Sequence, residues 1–168
     1  LWVGEEDINA MRGKFESSKF NITVDKVIKD ANWVLTQELI QETDGSTYQT
    51  KTRAIASRIK NLTMAWVITR KKEYRDCAML NLKNMMNWNQ ISCEARQGMP
   101  HDPLWYFCLS AGEHAADVAL MYDLFKTDIT KEEQKIFNDV VDRFYLKAAL
   151  RAKDRNPWWV NKEWSNWN

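Results

Sequence analysis

The feature that most constrains the fold is an apolar periodicity of three to four residues, which recurs along almost the whole chain. The alternation typical of strands is absent, and only five glycines and three prolines interrupt the pattern. With 45% apolar residues, the chain can bury a real core. The sequence therefore predicts an all-α fold of five long helices and a shorter one near residues 6–19. The periodic runs are Val24–Leu39, Ile55–Trp66, Tyr74–Met85, Cys108–Tyr122 and Phe137–Ala148.

Local signals predict where the helices begin and how they are connected. Thr23 precedes the first strong run, and residues 130–133 have the spacing of a capping box. The last helix is therefore expected to begin near Lys131. Short links at residues 69–72 and 126–130 predict two antiparallel helical hairpins, which would stack as a solenoid-like or toroidal unit.

Overall charge excludes some classes of partner. Twenty-four basic and twenty-three acidic residues give a net charge of +1, so no field of the whole chain would attract nucleic acid. No apolar run of about 18 residues is present, which predicts no membrane insertion. The chain begins with Leu1, lacks the pattern of a signal peptide and ends in a Trp-rich stretch. It is expected to be a fragment of a longer protein.

The cysteines and histidines lack the spacing of metal ligands. Cys77, Cys93 and Cys108 form no C-x-x-C pair. Cys77 and Cys108 fall at apolar helical positions and are expected to act as small hydrophobic residues. Neither His101 nor His114 has a second ligand at i+4. Since no phosphate-binding glycine loop is present either, the sequence predicts no metal and no cofactor.

A basic run follows the first predicted hairpin link. Its members are Arg70, Lys71, Lys72 and Arg75, with Glu73 and Asp76 interleaved. Mixed charge of this kind predicts a solvated hairpin surface rather than an anion site.

Tryptophan is concentrated at the C-terminal end of the chain. Four rings lie in a segment without helical periodicity, and such rings suit the faces of sugars, while amide and ammonium neighbours suit hydroxyl and carboxylate groups. An alternative is that the rings pack against helices outside this chain. The candidate substrate-binding residues are Trp158, Trp159, Trp164, Trp167 and Lys162, with Arg96 and the neighbouring His101 in a turn.

Three stretches, in order, resemble the helical toroid of heparinase II/III-like polysaccharide lyases. The first is residues 65–69 followed by Glu73 and Tyr74, and the second is residues 109–113 running into 119–123. The third is residues 165–168, which resemble the asparagine-rich active-site loop of that family. The resemblance covers about residues 50–168.

The resemblance implies a two-part enzyme, a helical toroid followed by a β-sandwich, that cleaves uronic-acid polysaccharides of the glycosaminoglycan or alginate type by β-elimination. Residues 1–168 would be part of the toroid, and the β-sandwich would lie outside this chain. Asn166 is the first candidate for neutralising the uronate carboxylate, and Asn168 the second. No histidine follows Asn166, which departs from the family pattern.

The resemblance also implies that the catalytic tyrosine and a further histidine lie beyond residue 168. Tyr106, Tyr122 and Tyr145 are not assigned that role, and Tyr122 is expected in the core. The resemblance implies two partners, an anionic polysaccharide substrate and the missing C-terminal half of the enzyme. It also implies that the enzyme is periplasmic or secreted from a bacterium.

Two other functions remain open. One is a glycan-binding or glycoside-hydrolase toroid, which would require two acids on loops that face one cleft. The segment after Arg155 offers only Glu163. The other is a non-enzymatic helical-repeat module that binds a protein partner.

Overall fold

The computed structural model describes residues 4–15, 21–89, 91 and 109–155. Helix accounts for 80% of the described residues, and none of them forms a β-strand, which confirms the predicted all-α fold. Because α6, a π-helical segment and α7 run on without a break, these ranges contain six helical rods. The bounds are α1 Glu5–Phe15, α2 Asn21–Leu35, α3 Tyr48–Thr69, α4 Lys72–Met85, α5 Leu109–Phe125, α6 Lys131–Val140, the π segment Val141–Leu146 and α7 Lys147–Arg155.

The predicted hairpin between α3 and α4 is present. Helix α3 begins after Thr47, whose hydroxyl accepts a hydrogen bond from the Thr50 backbone N–H at 3.2 Å. It ends at Arg70, where a left-handed φ of 56° turns the chain and the backbone N–H donates to the Trp66 carbonyl at 2.7 Å. The Arg70 guanidinium lies 4.2 Å from the centroid of the Trp66 indole. This stacking adds to the cap that ends α3.

The predicted start of α6 is confirmed, whereas that of α2 was placed too late. Thr130 and Glu133 form the expected capping box: the Glu133 N–H donates to the Thr130 hydroxyl at 3.1 Å, and the Thr130 N–H donates to the Glu133 carboxylate at 2.9 Å. Thr23 does not cap α2, because that helix already includes Asn21. The first turn of α2 is exposed, so the apolar periodicity on which the prediction depended begins only later.

The described helices alternate between two layers. Helix α3 has its most extensive contacts with α5 and α4, and it also packs against α2 and α1. Helices two apart in the chain touch each other: α1 contacts α3, α3 contacts α5, α2 contacts α4, and α4 contacts α6. One layer therefore holds α1, α3 and α5, and the other holds α2, α4 and the rod that contains α6.

Most of the periodic residues form the core, as predicted, although those of α2 and α5 are not all fully buried. Ile55, Ile59, Leu62 and Trp66 on α3 are buried, and so are the periodic residues of α6 and α7. In α2 the inner face is less complete, because Val24 and Val27 are only half-buried. The π segment widens one turn of the rod, and both Phe144 and its neighbour Tyr145 lie in the core there.

Candidate functional site

The site residues predicted from the sequence all lie outside the described ranges. The predictions for them, and for Tyr106 and Cys108, which also lie outside these ranges, therefore stay predictions. These site residues are Asn166, Asn168, Trp158, Trp159, Trp164, Trp167, Lys162, Arg96 and His101.

The described residues contain a different candidate, which begins with the connection between α2 and α3. We call residues 36–47 the strap. Side chains from α3 and α4 bind every second carbonyl of its central part, and a period of two is what an extended chain presents on one side. The pairs are Arg58 Nη1 to the Glu38 carbonyl at 2.6 Å, Asn84 Nδ2 to the Ile40 carbonyl at 2.7 Å, and Lys51 Nζ to the Glu42 carbonyl.

The distal half of the strap is held through Glu42 and Lys51. The Glu42 carboxylate accepts hydrogen bonds from the Tyr48 hydroxyl at 2.9 Å and from Asn89, through its backbone N–H at 2.8 Å and its amide at 3.0 Å. Lys51 is only 5% exposed, and its ammonium also reaches the Asp44 carbonyl at 3.2 Å and lies 4.5 Å from the Tyr48 ring centroid. These contacts satisfy the backbone of a segment without secondary structure and hold it in one conformation.

An open groove lies between the strap and α3. Long irregular connections that are fixed in place are where globular proteins usually carry binding residues. The groove is lined by amide, hydroxyl and carboxylate groups, by one guanidinium and by the apolar side chains of Leu39 and Ile40. The lining residues are Thr36, Gln37, Glu38, Leu39, Ile40, Gln41, Asp44 and Arg58.

Arg58 is the cation of this groove, and it is half-buried. Burial lowers the pKa of its guanidinium, while Cys77 and Asp44 act in the opposite direction. Within the described ranges, Arg58 forms one hydrogen bond, to the Glu38 carbonyl. No carboxylate of these ranges lies within ion-pair distance of its guanidinium. A guanidinium has five N–H donors, so several are left to face the groove.

A second group of ionisable residues is fully enclosed. His114 on α5 is 0% exposed, and its Nδ1 is hydrogen-bonded to the hydroxyl of Tyr145, which is 6% exposed. Nε2 of His114 has no hydrogen-bond partner among the described residues. Burial lowers the pKa of His114 to about 3 and raises that of Tyr145, with a further contribution from Asp117. The imidazole is therefore neutral, and no polymer can reach this pair as it is enclosed here.

The basic run at the hairpin differs in part from the prediction. Lys71 and Lys72 are exposed, as expected, but Arg75 is 8% exposed. Its guanidinium binds the Glu133 carboxylate through two hydrogen bonds of 2.9 and 2.7 Å. Helix α6 starts beside this residue and supplies the carboxylate, a tertiary contact that the charge pattern of the run does not reveal.

Two smaller predictions concern residues of the core. Tyr122 is half-buried and packs edge-to-face on Phe137, with ring centroids 5.2 Å apart, while its hydroxyl accepts a hydrogen bond from Gln134. Cys77 is also only partly buried, and burial raises the pKa of its thiol. Both pack against the core, although neither is fully enclosed.

The sequence interpretation missed the groove, because it extended the first long helical run to Leu39, whereas α2 ends at Leu35. A signal was present: the segment from Thr36 to Asp44 is rich in amides and acids and lies between two strongly periodic runs. The sequence of this segment does not show that Arg58 lies beside it, because Arg58 is 20 residues away from its partner Glu38 along the chain.

Known proteins offer no closer guide to this groove. No family model matches the chain, and no curated protein matches it.

No helix within the described ranges is both long and apolar enough to cross a membrane. No three histidine, cysteine or acidic residues of the described ranges are placed to hold a metal ion.

Proposed function

We propose that this chain is part of the helical toroid of a polysaccharide lyase that cleaves uronic-acid-containing polysaccharides by β-elimination. The observation that supports it best is the alternation of successive helices between two layers, with helices two apart in contact. An (α/α) toroid is built in this way, from helical hairpins that each pack beside the preceding one. The resemblance in sequence stretches follows the same order along the chain.

The reaction requires a group that neutralises the uronate carboxylate and a base that removes the C5 proton. A donor placed against the carboxylate stabilises the negative charge that develops as the proton leaves. In this proposal Asn166 supplies that donor, and Asn168 is the alternative. The base is a tyrosine in the part of the parent protein beyond residue 168. His114 and Tyr145 are not the acid and base, since both are enclosed in the core.

The test is to express the complete parent protein and to incubate it with hyaluronan, chondroitin and alginate. We expect ultraviolet absorbance from unsaturated uronate products, and no such product from residues 1–168 alone. Loss of a general base typically costs about 10²–10⁴ in rate. Absence of unsaturated product from the intact parent with every uronate polymer would overturn the proposal.

Replacement of the proposed neutralising residue gives a sharper expectation. Asn166→Ala in the parent enzyme should lower kcat by about 10²–10³, because the lost donor acts on charge that develops in the transition state. Trp159→Ala should instead raise KM, since stacking on a sugar ring is already gained in the bound substrate. Melting temperatures of both variants serve as the control for folding. An Asn166→Ala enzyme with full kcat would remove this residue from the catalytic set.

A glycoside hydrolase is the second candidate, because Glu38 and Asp44 both line the groove. Two acids that face one cleft are the requirement for general-acid hydrolysis of a glycosidic bond. One of them is already engaged, since the Asp44 carboxylate accepts the Gln41 backbone N–H at 2.8 Å. The same polymer assay separates the candidates: a hydrolase releases new reducing ends without unsaturated uronate.

A further inference from the structure

We propose that Arg58 and the strap form a subsite for a single carboxylate of a sugar chain, with neutral sugars on either side of that carboxylate. The inference rests on the proposed function, because it assigns a binding position to the same class of substrate. The inference goes beyond the proposed function in two ways. It places recognition of the sugar chain in a groove far along the chain from residues 158–168, and it restricts which polymers bind there.

The first reason is that Arg58 is half-buried without a direct ion pair, since Asp44 acts on it only from beyond ion-pair distance. Withdrawal of a charge from water costs free energy that an opposite charge in direct contact can offset. Within the described ranges, Arg58 has a neutral carbonyl as its hydrogen-bond partner and no carboxylate within ion-pair distance. The planar guanidinium matches the two oxygens of a carboxylate, so an acidic ligand would supply the missing partner.

The second reason is that side chains of α3 and α4 hold the strap in place along the groove. Arg58 itself, Asn84 and Lys51 bind the strap from the helices, and the Glu42 carboxylate is held by Tyr48 and Asn89. A wall that is already ordered does not lose conformational entropy when it binds a ligand. Its amide side chains, on Gln37 and Gln41, have the donors and acceptors that sugar hydroxyls require.

The charges around Arg58 decide which acidic sugars fit. Glu38 and Asp44 also line the groove, and Arg58 is the one cation among its lining residues. Once a ligand carboxylate pairs with Arg58, a second carboxylate or a sulfate beside it would have no cation to pair with and would be repelled by Glu38 and Asp44. The groove therefore favours an unsulfated chain in which uronates alternate with neutral sugars over a continuous polyuronate or a sulfated chain.

The experiment measures binding of three oligosaccharides of equal length by titration calorimetry, with amide chemical shifts to locate the site. The first is an unsulfated hyaluronan tetrasaccharide, the second is its methyl ester, which lacks the negative charge, and the third is an oligouronate. We expect the free acid to bind and to shift strap amides, with about 10- to 100-fold weaker affinity for the ester, as for loss of a charge-assisted hydrogen bond. The oligouronate should also bind more weakly than the alternating chain.

Protein variants provide the complementary test. Arg58→Gln should reproduce the loss seen with the ester, and it should no longer discriminate between acid and ester. Arg58→Lys should recover part of the affinity, since it keeps the charge but not the fork. The matched control is Arg53→Gln on the same helix, an exposed residue paired with Glu113, which should leave binding unchanged.

The ester comparison uses the unaltered protein, so it stands even if a variant at Arg58 loosens the strap. Equal affinity of acid and ester, or shifts confined to residues outside the strap, would overturn the subsite. The lyase proposal would survive that result, because it is judged separately by unsaturated product from the parent protein. Conversely, binding at Arg58 without any such product would leave the subsite standing and remove the lyase.

Discussion

His114 lies where no part of its ring reaches solvent, and the hydroxyl of Tyr145 is its hydrogen-bond partner among the described residues. Its pKa falls from 6.5 to about 3 because burial disfavours the charged imidazolium. Between these two pH values the unfolded chain binds a proton that the folded protein does not. The free energy of unfolding therefore decreases as the pH is lowered through this window, by about 1.4 kcal/mol per pH unit for one full proton.

The corresponding prediction is that urea unfolding at pH 5 gives a free energy about 2 kcal/mol below that at pH 7. Two acids also have shifted pKa values. The lowered pKa of Glu133 reduces the free energy of unfolding only below about pH 4.5. Burial raises the pKa of Asp117, which acts in the opposite direction and partly offsets the effect of His114 as the pH falls. His114→Gln is the control, since it keeps a polar side chain that does not titrate. An equal decrease in both proteins would show that another group is responsible.

At the scale of elements, Arg75 and Glu133 connect the first turn of α4 to the first turn of α6. Arg75 also donates to the Asp128 carbonyl at 2.7 Å, and its guanidinium lies 5.4 Å from the Phe125 ring centroid. Glu133 is at the same time the third helical residue of the capping box, so one carboxylate serves both the cap and the contact between helices.

We predict that Arg75→Met destabilises the protein by roughly 2–4 kcal/mol. Removing one partner from a buried pair costs about 3–5 kcal/mol, and part of that is relieved here because the Glu133 side chain is 20% exposed. Lys72→Met on the same helix breaks the exposed pair with Asp76 and should cost less than about 1 kcal/mol. Chemical denaturation measures both, and equal losses would contradict a special role for Arg75.

The elements differ in how far the sequence predicts them. The start of α6 follows from four consecutive residues, 130–133, because both hydrogen bonds of a capping box are local. The start of α2 could not be predicted from the sequence, because its first turn is exposed and shows no apolar periodicity. The groove could not be predicted at all, because the strap has no periodicity and takes its shape from Arg58, Asn84 and Lys51 on the helices.

At the scale of the whole molecule, α3 is the central helix of the described part, because it contacts α1, α2, α4 and α5. Leu62 lies on this helix and is 0% exposed, whereas Leu80 on α4 is 50% exposed. Leu62→Ala should therefore cost about 2–5 kcal/mol, through lost burial and the cavity that remains. Leu80→Ala should change the stability by less than about 0.5 kcal/mol.

From the contacts of α3 we predict that the protein unfolds in a single cooperative transition. Far-ultraviolet circular dichroism and tryptophan fluorescence should report coincident midpoints, since loss of α3 removes a contact surface of four other helices at once. A lower midpoint for one probe would mean that the two layers unfold separately. Equal destabilisation by the two leucine substitutions would contradict the arrangement of the layers.

The sequence by itself determined the helical class, the α3–α4 hairpin, the cap of α6 and the inward face of α3, because each depends on residues within one or two helical turns. Tertiary structure alone decided which buried ionisable residues pair with each other. Arg75 and Glu133 are 58 residues apart, and His114 and Tyr145 are 31 apart. Charge and polarity mark such residues as candidates, but their partners, their burial and hence their pKa values depend on which helices pack together.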